Sequence, residues 1–171
     1  DGTLDPAFVP PPAFDSNFKH AVAALDDHSV LVGGAFARFA SDTGDTTNAV
    51  VRLRPDGTRD PDFSPYLGNT RPFTANSGLV VQADGRIVVT GSFASYADTG
   101  RGGLARLLPD GSLDPGFSAP ILSTGNLGVQ PAIAYGDDGL LLGGSQFFNL
   151  ADRISGGLLA LEPATSPALH H

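Results

Sequence analysis

The chain has 171 residues, a net charge of −8 and no cysteine. That acidity argues against a nucleic-acid partner, whose phosphates are neutralised by Lys and Arg. With Lys19 as its single lysine there is no polybasic patch for a membrane surface, and no apolar run approaches the ~20 residues of a membrane span. Lack of cysteine excludes disulfides and thiolate metal sites.

One eight-residue phrase is written three times: Asp1-Gly-Thr-Leu-Asp-Pro-Ala-Phe8, Asp56-Gly-Thr-Arg-Asp-Pro-Asp-Phe63 and Asp110-Gly-Ser-Leu-Asp-Pro-Gly-Phe117. Its copies lie about 55 residues apart, a spacing that marks a repeat architecture. Asp-Gly signals a hairpin turn, expected here as type I′ with φ > 0 at both central residues. Asp-Pro sets a second bend, because proline fixes its own φ and pushes the preceding Asp to an extended conformation. The 22 Gly and 14 Pro recur at fixed places, so they indicate turns in an all-β array rather than low complexity.

After each phrase comes a loose segment (residues 9–13, 64–69 and 118–125), then a short apolar run (21–25, 79–82 and 132–135). A turn follows, with Asp27-His28 in the first copy where the second has Asp84-Gly85; this departure predicts a change of turn type. The partner runs are 30–34, 87–91 and 140–144, each ending in or before glycine. Glycine there either lets neighbouring backbones approach closely or admits a bulge. A variable loop bearing Phe36, Phe93 or Phe147 leads to a third run, 49–53, 104–107 or 158–161, and the next phrase would supply a fourth strand. Four short strands per unit match a propeller blade, and near-continuous apolar runs suit strands buried on both faces. No segment shows a helical period.

The composite pattern, cleanest in Gly103-Leu-Ala-Arg-Leu-Leu-Pro-Asp-Gly-Ser-Leu-Asp-Pro-Gly-Phe117, resembles the bacterial delta-60 repeat family over residues 1 to about 163. The resemblance implies a propeller-like β array in a large secreted or cell-surface protein, and no particular reaction. The fold expected is all-β: three tandem four-stranded propeller-type repeats (1–55, 56–109 and 110–163) in one domain, with a non-repeat tail at 164–171. They are read as part of a closed or completed propeller.

Three blades are fewer than the four to eight of a ring. Further blades from the same or another chain, a homodimer making a six-bladed ring, and an open or otherwise closed array all remain. The first phrase would pair with a third strand that is not its sequence neighbour, with 158–161 as the candidate. The lack of an initiator Met and of a signal peptide is read as a piece of a longer protein.

Asp5, Asp60 and Asp114 are expected to bond backbone amides two residues on. Arg52 and Arg106 occupy matching places in the third run, where Ala160 stands in the last copy, and are expected to pair with Asp60 and Asp114. The variable loops carry the candidate ligand or partner surface: Arg38, Asp42 and Asp45; Tyr96, Asp98 and Arg101; Asp152 and Arg153. Their spacing matches no EF-hand loop, and no metal site or cofactor is read. Nucleophile-elbow, phosphate-loop and zinc-protease motifs are absent, so no catalytic residue is assigned. The function expected is a non-enzymatic structural or recognition scaffold. The alternatives are a carbohydrate- or protein-binding module and a fragment of a propeller lyase or glycosidase.

Overall fold

A computed structural model of the chain describes residues 3, 5–9, 18–35, 50–63, 65, 78–90, 95–96, 99–100, 103–118, 129–135, 139–144, 154–155 and 158–161. All regular structure among them is β. The first sheet is an antiparallel meander of β1 (Phe18–Ala24), β2 (Val30–Ala35) and β3 (Val50–Leu53). The next contains β4 (Gly78–Val81) and β5 (Ile87–Thr90). A two-residue hairpin of β6 (Ser95–Tyr96) and β7 (Thr99–Gly100) follows, before β8 (Leu104–Leu107) returns to pair with β5. The third sheet comprises β9 (Val129–Tyr135), β10 (Gly139–Gly144), β11 (Ile154–Ser155) and β12 (Leu158–Leu161), with β11 on the outer edge of β12.

The fourth strand expected from each phrase shrinks to a single bridge in the first two sheets. Leu53 bridges Arg59, and Leu107 bridges Leu113. One more hydrogen bond follows, from the Asp60 amide to the Arg52 carbonyl and from the Asp114 amide to the Arg106 carbonyl, each 2.9 Å. Pro61 and Pro115 then have no N–H to extend the ladder. In the third sheet the outer edge is formed instead by β11, which precedes β12 in the chain.

Two turn expectations are corrected. Positive φ occurs at Gly57, Gly85 and Gly111, but not at the aspartates before them. The amides of Gly57 and Gly111 donate to the carbonyls of Arg54 and Leu108, the pattern of a type I turn closed by a glycine bulge rather than type I′. The second correction concerns Asp27-His28. His28 takes φ 66, close to the 81 of Gly85, and its amide donates to Leu25 as that of Gly85 donates to Gln82. The turn keeps its type because His28 accepts the left-handed conformation.

Of the two readings of the paired glycines, the bulge holds for the first sheet, and what approaches Gly33 closely is a side chain rather than a backbone. Registers shift between Lys19 and Ala21 in β1, leaving His20 as the bulged residue opposite Gly33-Gly34. The same shift in β9 falls at Pro131, a residue tolerated where no ladder N–H is needed. A Cβ on Gly33 would lie 3.0 Å from Leu79 Cδ1, so this glycine admits a side chain of the second sheet.

The sheets stack face to face through alternating residues. Leu31 and Val50 of the first sheet meet Ile87, Val89, Ala105 and Leu107 of the second, with Phe63 between them, 1% exposed. The opposite face of the first sheet carries Val32, Val51 and Leu53, covered by Phe8 and Val30. The innermost strand β4 lies between β1 and β9.

Candidate functional site

The residues with the most regular chemistry converge at the joint between sheets. Asp60 and Asp114 each close the same turn: the amide of Asp62 or Gly116 donates to the carboxylate at 3.1 and 2.8 Å. The Phe63 and Phe117 amides donate to the carbonyls of Asp60 and Asp114. Asp5 closes it too, accepting from Ala7 N at 2.9 Å, with the Phe8 amide donating to its carbonyl. Asx turns of this kind are a local preference of Asp.

Onto two of these turns the sheet delivers an arginine. Arg52 Nε donates to Asp60 Oδ2 at 2.6 Å, and Arg106 Nε to Asp114 Oδ2 at 2.7 Å. The guanidinium carbon of Arg52 stands 5.1 Å from the Phe63 ring centroid, and that of Arg106 stands 4.6 Å from that of Phe117. Each joint is thus a triad of a strand arginine, a turn aspartate and a turn phenylalanine, combining a charge-assisted bond with a cation–π contact. Arg52 also reaches the next phrase, donating from Nη1 to the Pro109 carbonyl at 3.0 Å. A second arginine stands beside each acid: Arg54 at 3.4 Å from Asp60, Arg86 at 3.7 Å from Asp114.

Burial pushes the Asp60 carboxyl up, but the Asp62 amide and the guanidinium of Arg52 outweigh it and hold the group below the usual carboxylate range. At Asp114 burial is likewise outweighed by the Gly116 amide and Arg106. Acids held ionised and saturated with donors are poorly suited to proton transfer at neutral pH. The phrase-opening acids are tied locally: Asp56 to the hydroxyl and amide of Thr58, and Asp110 to those of Ser112.

Consecutive phrases also touch each other. Val9 N donates to the Asp56 carbonyl at 2.9 Å, and a Cβ on Gly57 would sit 2.7 Å from the Val9 backbone. The Phe63 ring lies against Gly111, where a Cβ would be 3.1 Å away. The first phrase, through the adjoining Val9, and the second, through Phe63, therefore rest on the glycine of the following one.

Among the sequence-derived candidates, the structure brings Arg52 to Asp60 and Arg106 to Asp114. It leaves Asp5 exposed with the Ala7 amide as its side-chain partner. Tyr96 lies in β6. The other loop candidates, Arg38, Asp42, Asp45, Asp98, Arg101, Asp152 and Arg153, lie outside the described residues, as do Leu4, Ala49, the loop phenylalanines and the tail. Sequence reasoning passed over two members of the joint: the phenylalanine, whose recurrence at the eighth place of every phrase was the signal, and the Pro109 carbonyl, which as backbone leaves none. No group of three or more His, Asp or Glu able to hold a metal occurs among the described residues.

Residues 27–63 and 82–117 each match the model of a family described as a domain of unknown function (DUF5122) β-propeller. The match supports a propeller-repeat family. Both stretches open at the hairpin turn joining the first two strands of a sheet and close on the phenylalanine of the next phrase, so the matched unit ends at the joint. No curated protein and no solved structure matches the chain.

Proposed function

We propose that the chain is a non-enzymatic scaffold of a bacterial secreted or cell-surface assembly, built from three delta-60-type propeller repeats (1–55, 56–109 and 110–163). What supports this reading is one observation: Arg52 and Arg106 are spent on Asp60 and Asp114, and Arg52 also ties the first sheet to the second through the Pro109 carbonyl. Binding residues are commonly carried on loops of a rigid β scaffold, and recognition of a carbohydrate or a protein is assigned to the variable loops. Arg38, Asp42, Asp45, Tyr96, Asp98, Arg101, Asp152 and Arg153 are the residues assigned to it.

Glycan and peptide arrays probed with the full chain test the reading. Binding that disappears in an Asp98→Ala, Arg101→Ala variant of unchanged stability is the expected result. Turnover of a polysaccharide by the chain would overturn the non-enzymatic assignment.

A further inference from the structure

The first phrase sits on the first sheet as the second phrase sits on the second sheet, with one component missing. Phe8 covers Val32, Val51 and Leu53 of the first sheet, while Phe63 packs on Ile87, Val89 and Leu107 of the second. Asp5 closes the same turn as Asp60. Asp60, however, receives Arg52 from the third strand of the preceding sheet, and among the described residues no arginine stands beside Asp5.

Two clefts share three equivalent lining positions. A cleft of about 480 Å³ between the first two sheets has Gly85, Ile87 and Pro109 on one wall, and Arg52 with Leu25, Asp26 and Asp27 on the other. A cleft of about 990 Å³ at the first phrase has His28, Val30 and Pro55 where the former has Gly85, Ile87 and Pro109. Asp5, Pro6 and Phe8 also line it. Among the described residues, no arginine lines this second cleft as Arg52 lines the first.

We propose that this face of the first sheet, centred on Asp5, Phe8 and Pro55, docks one further propeller-type repeat whose third strand carries an arginine. That arginine donates to the Asp5 carboxylate, lies over the Phe8 ring, and reaches the Pro55 carbonyl as Arg52 reaches Pro109. A second copy of this chain does not meet the requirement. Its Arg52 and Arg106 are already engaged, and its remaining third strand, β12, has Ala160 opposite Leu141, where β3 has Arg52 opposite Leu31. The docking depends on the sheet-to-sheet joint and is independent of what the variable loops bind.

The test appends a copy of residues 56–109 ahead of Asp1 in the full chain, which restores the eight-residue spacing from arginine to aspartate found at Arg106 and Asp114. Thermal unfolding is compared with and without Arg106→Ala in the appended copy, each in Asp5 and Asp5→Asn backgrounds. The arginine is expected to raise the midpoint by about 3 °C or more with Asp5 and to have little effect with Asp5→Asn. An equal effect in both backgrounds would overturn the proposal.

Should the extended chain fail to fold, a peptide of residues 103–109 is titrated into the unextended chain. The Ala7 amide resonance should move with this peptide and stay with its Arg106→Ala version; equal shifts refute the idea. Light scattering of the unextended chain closes the remaining case, since a dimer dissolved by Asp5→Asn would make a second copy the occupant and the proposal wrong.

Discussion

Arg52 ties Asp60, eight residues on, to Pro109, 57 residues on, through one guanidinium: Nε to the carboxylate at 2.6 Å and Nη1 to the carbonyl at 3.0 Å. Its side chain is 18% exposed and that of Asp60 12%, so the pair is mostly withdrawn from water. Removing one partner of such a pair strands the other. Arg52→Ala is expected to cost about 2–3 kcal/mol, below the figure for a fully buried pair because Arg54 and solvent still reach Asp60. Urea unfolding of Arg52→Ala, Asp60→Asn and the double variant measures it. A double variant as unstable as the sum of the singles would mean that the two side chains do not act together.

Phe63 is the plug of the first joint, shared by both sheets and seated on Gly111. Phe63→Ala should cost about 3–5 kcal/mol, the range for deleting a large buried aromatic. Phe8 makes the same contact on one side only and is half-buried, so Phe8→Ala should cost no more than about half as much. Denaturant midpoints of the two variants decide, and equal losses would contradict the one-sided seating of Phe8.

Much of this joint is written locally. The Asx turn at each Asp-Pro depends on residues two apart, and Arg52 and Asp60 are brought together by one tight hairpin, so sequence spacing carries both. The contact to Pro109 is different, because it needs the stacking of two sheets and is made to backbone, which has no side-chain signature. His28 misled for a related reason. Residue identity suggested a new turn, while the Leu25–Ser29 hydrogen bond and the Asp27 carboxylate on Ser29 impose the old one. The fourth strand was counted from the blade pattern, which ignores that proline ends the ladder after one bridge in the first two sheets.

Acid should loosen the joints. Asp60 and Asp114 are held below their ordinary value of 3.8 in the folded chain. A carboxyl depressed by folding contributes stability that is complete above its unfolded value and is lost as pH falls through the folded one. Stability is therefore expected to be flat above about pH 5 and to fall steeply below about pH 4. In Asp114→Asn the loss is already present at neutral pH, and the decline below about pH 4 is shallower. Urea midpoints across this range provide the check, and parallel curves for the two proteins would remove Asp114 from the account.

The turns offer the sharpest contrast between two residues in one conformation. His28 holds φ 66, a left-handed value that costs an L side chain about 1–2 kcal/mol. Glycine removes that cost but gives up about 0.5–1 kcal/mol of chain entropy. His28→Gly should then stabilise by roughly 0.5–1 kcal/mol, provided the Asp27–Ser29 bonds persist. Gly57 is the opposite case. It has φ 86, and its added Cβ would meet Val9 backbone atoms that are themselves held by the Asp56 carbonyl. Strain and clash add there, so Gly57→Ala is expected to destabilise by more than about 2 kcal/mol and to release the Val9 amide to hydrogen exchange. If Gly57→Ala left Val9 as protected as before, the first phrase would not be resting on the second, and its seat on the first sheet would have to come from Phe8 alone.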